Sequence, residues 1–341
     1  MRLTRFVGSC LLLLAGLAAV QIARAATPEP RYQSMIEALS RANAAVVGVQ
    51  VVAAEDARSA QTLGRQRAGS GVVIGPDGLI LTIGYLMLEA ETIQVVTQDG
   101  RSIPARPVAY DLATGFGLLQ AVLPLRGVQP VPLGTVADSS EGEAVMAAVG
   151  GNGGDVAMAQ IVSKRPFSGY WEYHIESALF TSPPIGNHSG APVFNQRGEL
   201  LGIGSLVVSD ALGDGRRMPG NMFVPVDLLK PILAELRRSG TTRQSRRPWL
   251  GLSSTEQGGF VRIVRVNDDG PAYAAGVAPG DVVLAIDGAR VTSLESFYKK
   301  LWAKPNPEDE VQLTLQHGSV VRQVTIKGVD RMTVIRKPSG I

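Results

Sequence analysis

Apolar and polar positions change over in short runs along most of this chain, and the spacing predicts strands separated by turns. Val46-Val47-Gly48-Val49-Gln50-Val51-Val52 reads as a buried strand within Ala45 to Ala54. Similar β-branched runs follow at Gly71 to Ile74, Leu79 to Thr82, Thr92 to Thr97 and Gly117 to Val122, punctuated by Pro76-Asp77-Gly78 and Gln98-Asp99-Gly100. A second set begins at Val131-Pro132-Leu133-Gly134 and includes Ala144 to Val149, Ala157 to Val162, His174 to Ala178, Ala191 to Phe194, Leu200 to Val208 and Met222 to Val224. Short strands at this interval predict an antiparallel barrel or sandwich, here twice in succession. Helical spacing is sparse: Met35, Ile36 and Leu39 predict a short helix over Tyr32 to Arg41, and Val226, Leu229, Ile232, Leu233 and Leu236 predict another over Pro225 to Leu236. The segment 237–247 is polar and lacks apolar periodicity, which marks a linker between two domains.

The first residues change this picture, because Arg2 and Arg5, the apolar run Cys10 to Ile22 and Ala23-Arg24-Ala25 form a secretory signal over residues 1–25. An uncleaved anchor is the alternative to cleavage before Ala26. Cys10 is the single cysteine of the chain, so the mature protein has none and disulfides contribute nothing to its stability. The 33 basic and 30 acidic side chains include Arg2, Arg5 and Arg24 of the signal, which leaves the mature chain without net formal charge. Nucleic acid is excluded as a partner on that ground. No later apolar run is long enough to cross a bilayer, so no membrane span is expected after signal cleavage. The composition, with 39 glycines and 21 prolines, favours a β-rich body with many turns.

Residues 248–330 contain Trp249-Leu250-Gly251-Leu252, the run Gly270-Pro271-Ala272 through Ile286-Asp287-Gly288, and a helix over Leu294 to Trp302. This module resembles PDZ domains of the bacterial type, with 331–341 as a tail. The resemblance implies that a partner's C-terminus adds as a strand beside Trp249 to Leu252, its carboxylate held by backbone amides near Gly251. Phe297 and Leu301, four residues apart, would face that groove, and Arg247 could attract the carboxylate. The competing reading makes Leu250, Phe297 and Leu301 ordinary core, Trp249 a boundary plug and Arg247 a solvated charge.

Residues 44–236, preceded by an N-terminal segment 26–43, carry Gly69-Ser70-Gly71-Val72-Val73-Ile74-Gly75-Pro76-Asp77-Gly78-Leu79-Ile80-Leu81-Thr82, Val131-Pro132-Leu133-Gly134, Ile161-Val162-Ser163 and Ser189-Gly190-Ala191-Pro192. They resemble the trypsin-like proteases of the Deg/HtrA family, whose order of protease then PDZ this chain shares. The implied fold is mainly β, a trypsin-like double β-barrel followed by a small α+β PDZ domain. Catalysis in that fold requires a serine, a histidine and an aspartate. Ser189 matches the serine, but reading in register from Ile80-Leu81-Thr82 places Tyr85 at the histidine, and the run Asp111 to Leu119 places Gly115 at the aspartate. His188 also disturbs the loop before Ser189, and Ala191 replaces a glycine. A phenol is a poor base at neutral pH.

The resemblance therefore implies an exported, periplasmic or secreted, noncatalytic relative that binds C-terminal or unfolded polypeptide segments. The alternative is an active serine endopeptidase using Ser189 with a non-standard base; His174, His188 and His317 are the available imidazoles. A third reading is a scaffold that assembles with an active homologue or as a trimer. No metal or cofactor is expected, since three scattered histidines give no ligand spacing.

Overall fold

The computed structural model describes residues 30–335 except residue 153, with side chains from residue 32. The predicted signal and the last residues of the predicted tail lie outside the described residues. The helix Pro30–Ala44 leads into the first barrel, formed by β1 (Val46–Ala53), β2 (Gln66–Val73), β3 (Leu79–Ile83), β4 (Ala90–Val96), β5 (Ser102–Tyr110) and β6 (Phe116–Ala121). Their order is β1-β2-β3-β6-β5-β4, closed by pairing of β1 with β4. The strands are rich in valine, isoleucine and leucine because all five residues of β3 and most of β1 and β6 face packed interior. Strand β5 was not anticipated. Its Pro104 and Pro107 disguise it, and the sheet tolerates them where pairing with β4 ends and at an irregularity opposite β6.

The second barrel uses β7 (Ala144–Ala148), β8 (Val156–Gly169), β9 (Tyr173–Ser182), β10 (Pro192–Phe194), β11 (Leu200–Val208) and β12 (Gly220–Pro225), closed in the order β10-β11-β12-β9-β8-β7. Its outlier is the β8–β9 hairpin. The strand pair extends well past the predicted runs, to Gly169 paired with Tyr173. The two barrels meet at the serine loop, where the Ser70 amide donates to the Ser189 carbonyl at 2.8 Å. The approach is close enough that a Cβ on Gly190 would stand 2.1 Å from the Ser70 carbonyl oxygen, and its φ of 76° also favours glycine.

The segment 237–247, expected as a polar linker, is tied down instead. The helix Leu233–Ser239 ends at Gly240, whose carbonyl accepts from the Tyr110 amide. Asp111, fully buried, then accepts hydrogen bonds from Thr242 and Ser245 at 2.5 Å each and from the amide and hydroxyl of Thr114. The polar residues that suggest a free tether thus satisfy one buried carboxylate.

The PDZ module pairs β13 (Pro248–Trp249) with β20 (Val329–Asp330). Its main sheet runs β14 (Leu252–Gln257), β15 (Phe260–Val266), β16 (Val282–Ile286), β18 (Glu310–His317), β19 (Val320–Lys327), with β17 (Ala289–Arg290) beside β16. The helix Leu294–Leu301 starts at a capping box between Ser293 and Ser296 and packs on this sheet. Replacing Asp111 by Ala should leave Thr242, Ser245 and Thr114 without their acceptor. Removal of such a buried, multiply bonded carboxylate is expected to cost about 3 kcal/mol in denaturant unfolding; an unchanged midpoint would contradict this role.

Candidate functional site

Ser189 stands half-buried at the barrel seam on the loop between β9 and β10. Opposite it, the 3-10 turn Gly84–Met87 that follows β3 presents Tyr85. That turn is held from behind by Arg67, a buried guanidinium that donates to the carbonyls of Tyr85 at 3.2 Å and Leu88 at 2.7 Å and to Ser59 at 2.7 Å. Ser59 passes the charge compensation on by donating to the buried Glu89 carboxylate at 2.6 Å. Tyr85 is consequently fixed with its Oη 2.7 Å from Ser189 Oγ and 3.0 Å from the Ser205 carbonyl oxygen.

A phenol has one proton, and a carbonyl can only accept. When Tyr85 donates to Ser205, Ser189 must donate to a neutral phenol oxygen, which is far too weak a base to take its proton. Phenolate formation is no remedy, because burial raises the Tyr85 pKa above its ordinary value of 10. Tyr85 thus gives Ser189 a hydrogen-bonding neighbour that is itself a poor proton acceptor.

Gly115 lies in the loop between β5 and β6 with φ of 85°, and its carbonyl accepts from the Gly84 amide at 2.7 Å. A side chain there would point toward the hydroxyl of Tyr173, 3.4 Å from a Cβ, in a backbone conformation that disfavours it. Asp111 is nearby in sequence but fully engaged with Thr114, Thr242 and Ser245. Among the described residues no imidazole is hydrogen-bonded to Ser189. His188 has its pKa lowered by burial. His174 sits on the β8–β9 hairpin, 2.9 Å from Ser168 Oγ, and His317 pairs with Asp281 in the PDZ module.

The open edge of the PDZ sheet is met by another part of the same chain. The β8–β9 hairpin turns through Tyr170, Trp171 and Glu172, with Glu172 at φ of 56°, the left-handed residue that a three-residue hairpin loop uses. This turn lies against the free edge of β14. The Ser254 amide donates to the Tyr170 carbonyl at 2.8 Å, and the amides of Leu252 and Leu250 donate to the Glu172 carboxylate at 2.8 and 3.1 Å. Residues 250, 252 and 254 alternate, as the outward N–H groups of one strand edge must. From the helix side, Tyr298 donates to the Gly169 carbonyl at 2.8 Å and accepts from the Glu172 amide at 3.2 Å.

The predicted groove residues divide accordingly. Leu250 and Leu252 donate their amides to the Glu172 carboxylate, with Gly251 between them at φ of 81°. Trp249 is buried at the start of the module, with the guanidinium of Arg331 over its ring. Phe297 and Leu301 are corrected: both are fully buried in the PDZ core. The helix face turned to the hairpin is offset by one residue and consists of Glu295, Tyr298, Lys299 and Trp302, since an apolar i, i+4 pair is drawn inward. Arg247 is neither free nor on the carboxylate. It stacks 3.5 Å over Trp302 and donates to the carbonyls of Leu112 and Glu172 at 3.3 and 3.5 Å, and burial lowers its pKa to about 10.

Folding also assembles what spacing did not show, a group of His174, Glu176 and Glu295 at the junction of the modules. The Lys299 ammonium lies between the two carboxylates, 2.9 Å from Glu176 and 2.6 Å from Glu295, and supplies their counter-charge. A cleft of about 950 Å³ separates the serine seam from the PDZ module, lined on one side by Tyr85, His188 and Ser205 and on the other by Trp249, Arg265 and Asn267. Sequence reasoning missed Glu172 and Tyr170. The signal available was the aromatic density of Tyr170-Trp171-Glu172-Tyr173 in a chain that is only 5% aromatic.

Comparison with known proteins agrees with this division. Residues 69–203 match the trypsin-like peptidase domain and residues 248–327 the PDZ domain. A probable periplasmic serine endoprotease DegP-like of Halomonas elongata is 29% identical over 282 residues, covering 77% of this chain and 56% of that protein. The DegP-like counterpart of Brucella suis is 26% identical, covering 76% and 52%. The chain thus spans about half the length of the curated relatives it matches. Among solved structures, the HtrA-type protease AlgW with a tripeptide superposes with TM-score 0.53 at 22% identity, covering 89% of this chain and 98% of that one. The serine endoprotease from Yersinia pestis gives TM-score 0.52 at 25% identity, covering 86% and 97%.

Burial pushes the Glu172 pKa up to about 7, against the opposing pull of the Leu252 and Leu250 amides and the Arg331 and Arg247 guanidiniums; the Tyr298 phenol completes its surroundings. The seated carboxyl therefore binds its proton more tightly than an exposed one near 4.5. Attachment of the hairpin should be complete below about pH 4.5 and weaken as pH rises through about 7. The Leu252 amide resonance should titrate over this window and cease to do so in Glu172→Gln; a pH-independent shift in the native protein would contradict it.

Proposed function

The chain belongs to the Deg/HtrA family of trypsin-like peptidases joined to a PDZ domain, and we propose that within it this protein is a periplasmic, noncatalytic member that binds polypeptide ends. The observation that carries the reading is the Tyr85 hydroxyl on Ser189, in the place where a base would stand. Without a base and an orienting carboxylate, serine chemistry of this type loses about a million-fold in turnover. The DegP-like relatives are described as periplasmic endoproteases, and the proposal keeps their compartment while departing from their activity. What remains for binding is the PDZ cradle formed by the amides of Leu250 and Leu252, a feature that suits a carboxylate. The partner class is a polypeptide with a free C-terminus, including ends exposed by unfolding or cleavage.

Incubation of the mature protein with unfolded casein and with a fluorophosphonate probe tests the noncatalytic part. Neither cleavage nor labelling above that of Ser189→Ala is expected. Tyr85→His should also stay silent, because Gly115 supplies no carboxylate to fix the imidazole. Labelling that disappears in Ser189→Ala would overturn the reading in favour of an active endopeptidase.

A further inference from the structure

The carboxylate cradle already holds a carboxylate, and the strand edge that would pair with a partner already pairs with a hairpin. We propose that the turn Tyr170-Trp171-Glu172 is a tethered ligand of the chain's own PDZ groove, the Glu172 side chain seated where a partner's terminal carboxylate would sit, so that a partner binds only when the hairpin leaves. This rests on the reading of the groove as a site for C-termini.

Three observations carry it independently of charge. First, the outward amides of Leu252 and Ser254 in the first half of β14, and that of Leu250 just before it, are taken by the turn. A backbone N–H bonded in this way has nothing left to offer a second strand, so simultaneous occupancy is stereochemically excluded. Second, the turn runs antiparallel to β14. Tyr170 pairs with Ser254 and Glu172 with Leu252 and Leu250, the direction in which an added strand would end at the cradle. Third, the left-handed backbone at Glu172 lets the main chain swing away into β9 while the side chain continues into the cradle. A polypeptide that does not end can in this way present a carboxylate to a site shaped for one that does.

Further contacts fix the seat. Tyr298 bridges both sides of the turn, and it stacks on Trp302 at a centroid distance of 5.1 Å, while Trp171 stacks on Tyr173 at 5.5 Å. Lys299 reaches from the PDZ helix to Glu176 on the departing strand. A ligand joined to its site by its own chain competes at high effective concentration, so the fraction of grooves open to a free peptide is small and the apparent affinity falls by that fraction.

The test uses the full mature protein, as wild type, Glu172→Ala and Glu172→Gln. The probe is a fluorescein-labelled peptide, Ser-Gly-Tyr-Trp-Val, in which the tyrosine third from the end places its carbonyl opposite the Ser254 amide. It is titrated with a free C-terminus and as the C-terminal amide. Glu172→Ala should bind the free-carboxylate peptide at least about tenfold more tightly than wild type, and Glu172→Gln, which keeps one acceptor oxygen but replaces the other by an NH₂ donor facing the cradle amides, should fall between. Amidation should abolish the gain. If all three proteins bind the free-carboxylate peptide with the same affinity and discriminate against the amide, the tethered ligand is wrong and the PDZ reading stands. If free and amidated peptides bind alike, or neither binds any of the three, the PDZ reading fails and the tethered ligand fails with it.

Discussion

The interaction on which the arrangement of this molecule turns is a buried carboxylate, Glu172, accepting from the amides of Leu250 and Leu252 across the boundary between two modules. A charge of this kind is expensive to bury unless every lone pair finds a donor. The two amides belong to a strand edge that would otherwise expose unpaired N–H groups, so each side satisfies what the other leaves open. Around that seat the aromatic side chains and the Arg247 guanidinium over Trp302 pack between the modules, and the solvent-exposed Lys299 bridge joins the PDZ helix to the second barrel.

The same logic governs the other end of the protein. Asp111 collects three hydroxyls and an amide and thereby anchors the chain between the modules. Arg67 collects the carbonyls of the turn that carries Tyr85 and so presents its phenol to Ser189. In each case a single buried ionisable group with several hydrogen bonds fixes the placement of a turn or connecting segment, adding to whatever apolar packing that segment has. The serine seam and the PDZ groove are positioned by these three groups, while the barrels and the PDZ sheet supply the cores on which they rest.

Much of the fold was legible in the sequence because strand periodicity is local: most strands of both barrels coincide with short β-branched runs between turn residues. Strand β5 escaped because proline is read as a strand breaker, and its prolines sit where the ladder is already interrupted. Register with the family's motifs singles out Tyr85 and Gly115; Tyr85 stands on Ser189, while Gly115 lies in the β5–β6 loop with its carbonyl on the Gly84 amide. The groove was legible in part. The amides of Leu250 and Leu252 do meet a carboxylate, that of Glu172, but Phe297 and Leu301 turn into the core, and a helix stripe does not say which of two adjacent faces meets a partner. Glu172 was invisible, because its role depends on a contact between residues far apart in sequence and on a hairpin longer than its apolar pattern.

Amide hydrogen exchange at Leu252 and Ser254 reads the central contact most directly, since both donate to the hairpin and not to their own sheet. Slow exchange is predicted at both in the wild-type protein, with loss of protection in Glu172→Ala while Ile263, whose amide donates to the Asp281 carbonyl inside the PDZ module, stays protected. Fast exchange at Leu252 and Ser254 in the wild type, or protection that survives Glu172→Ala unchanged, would contradict the account.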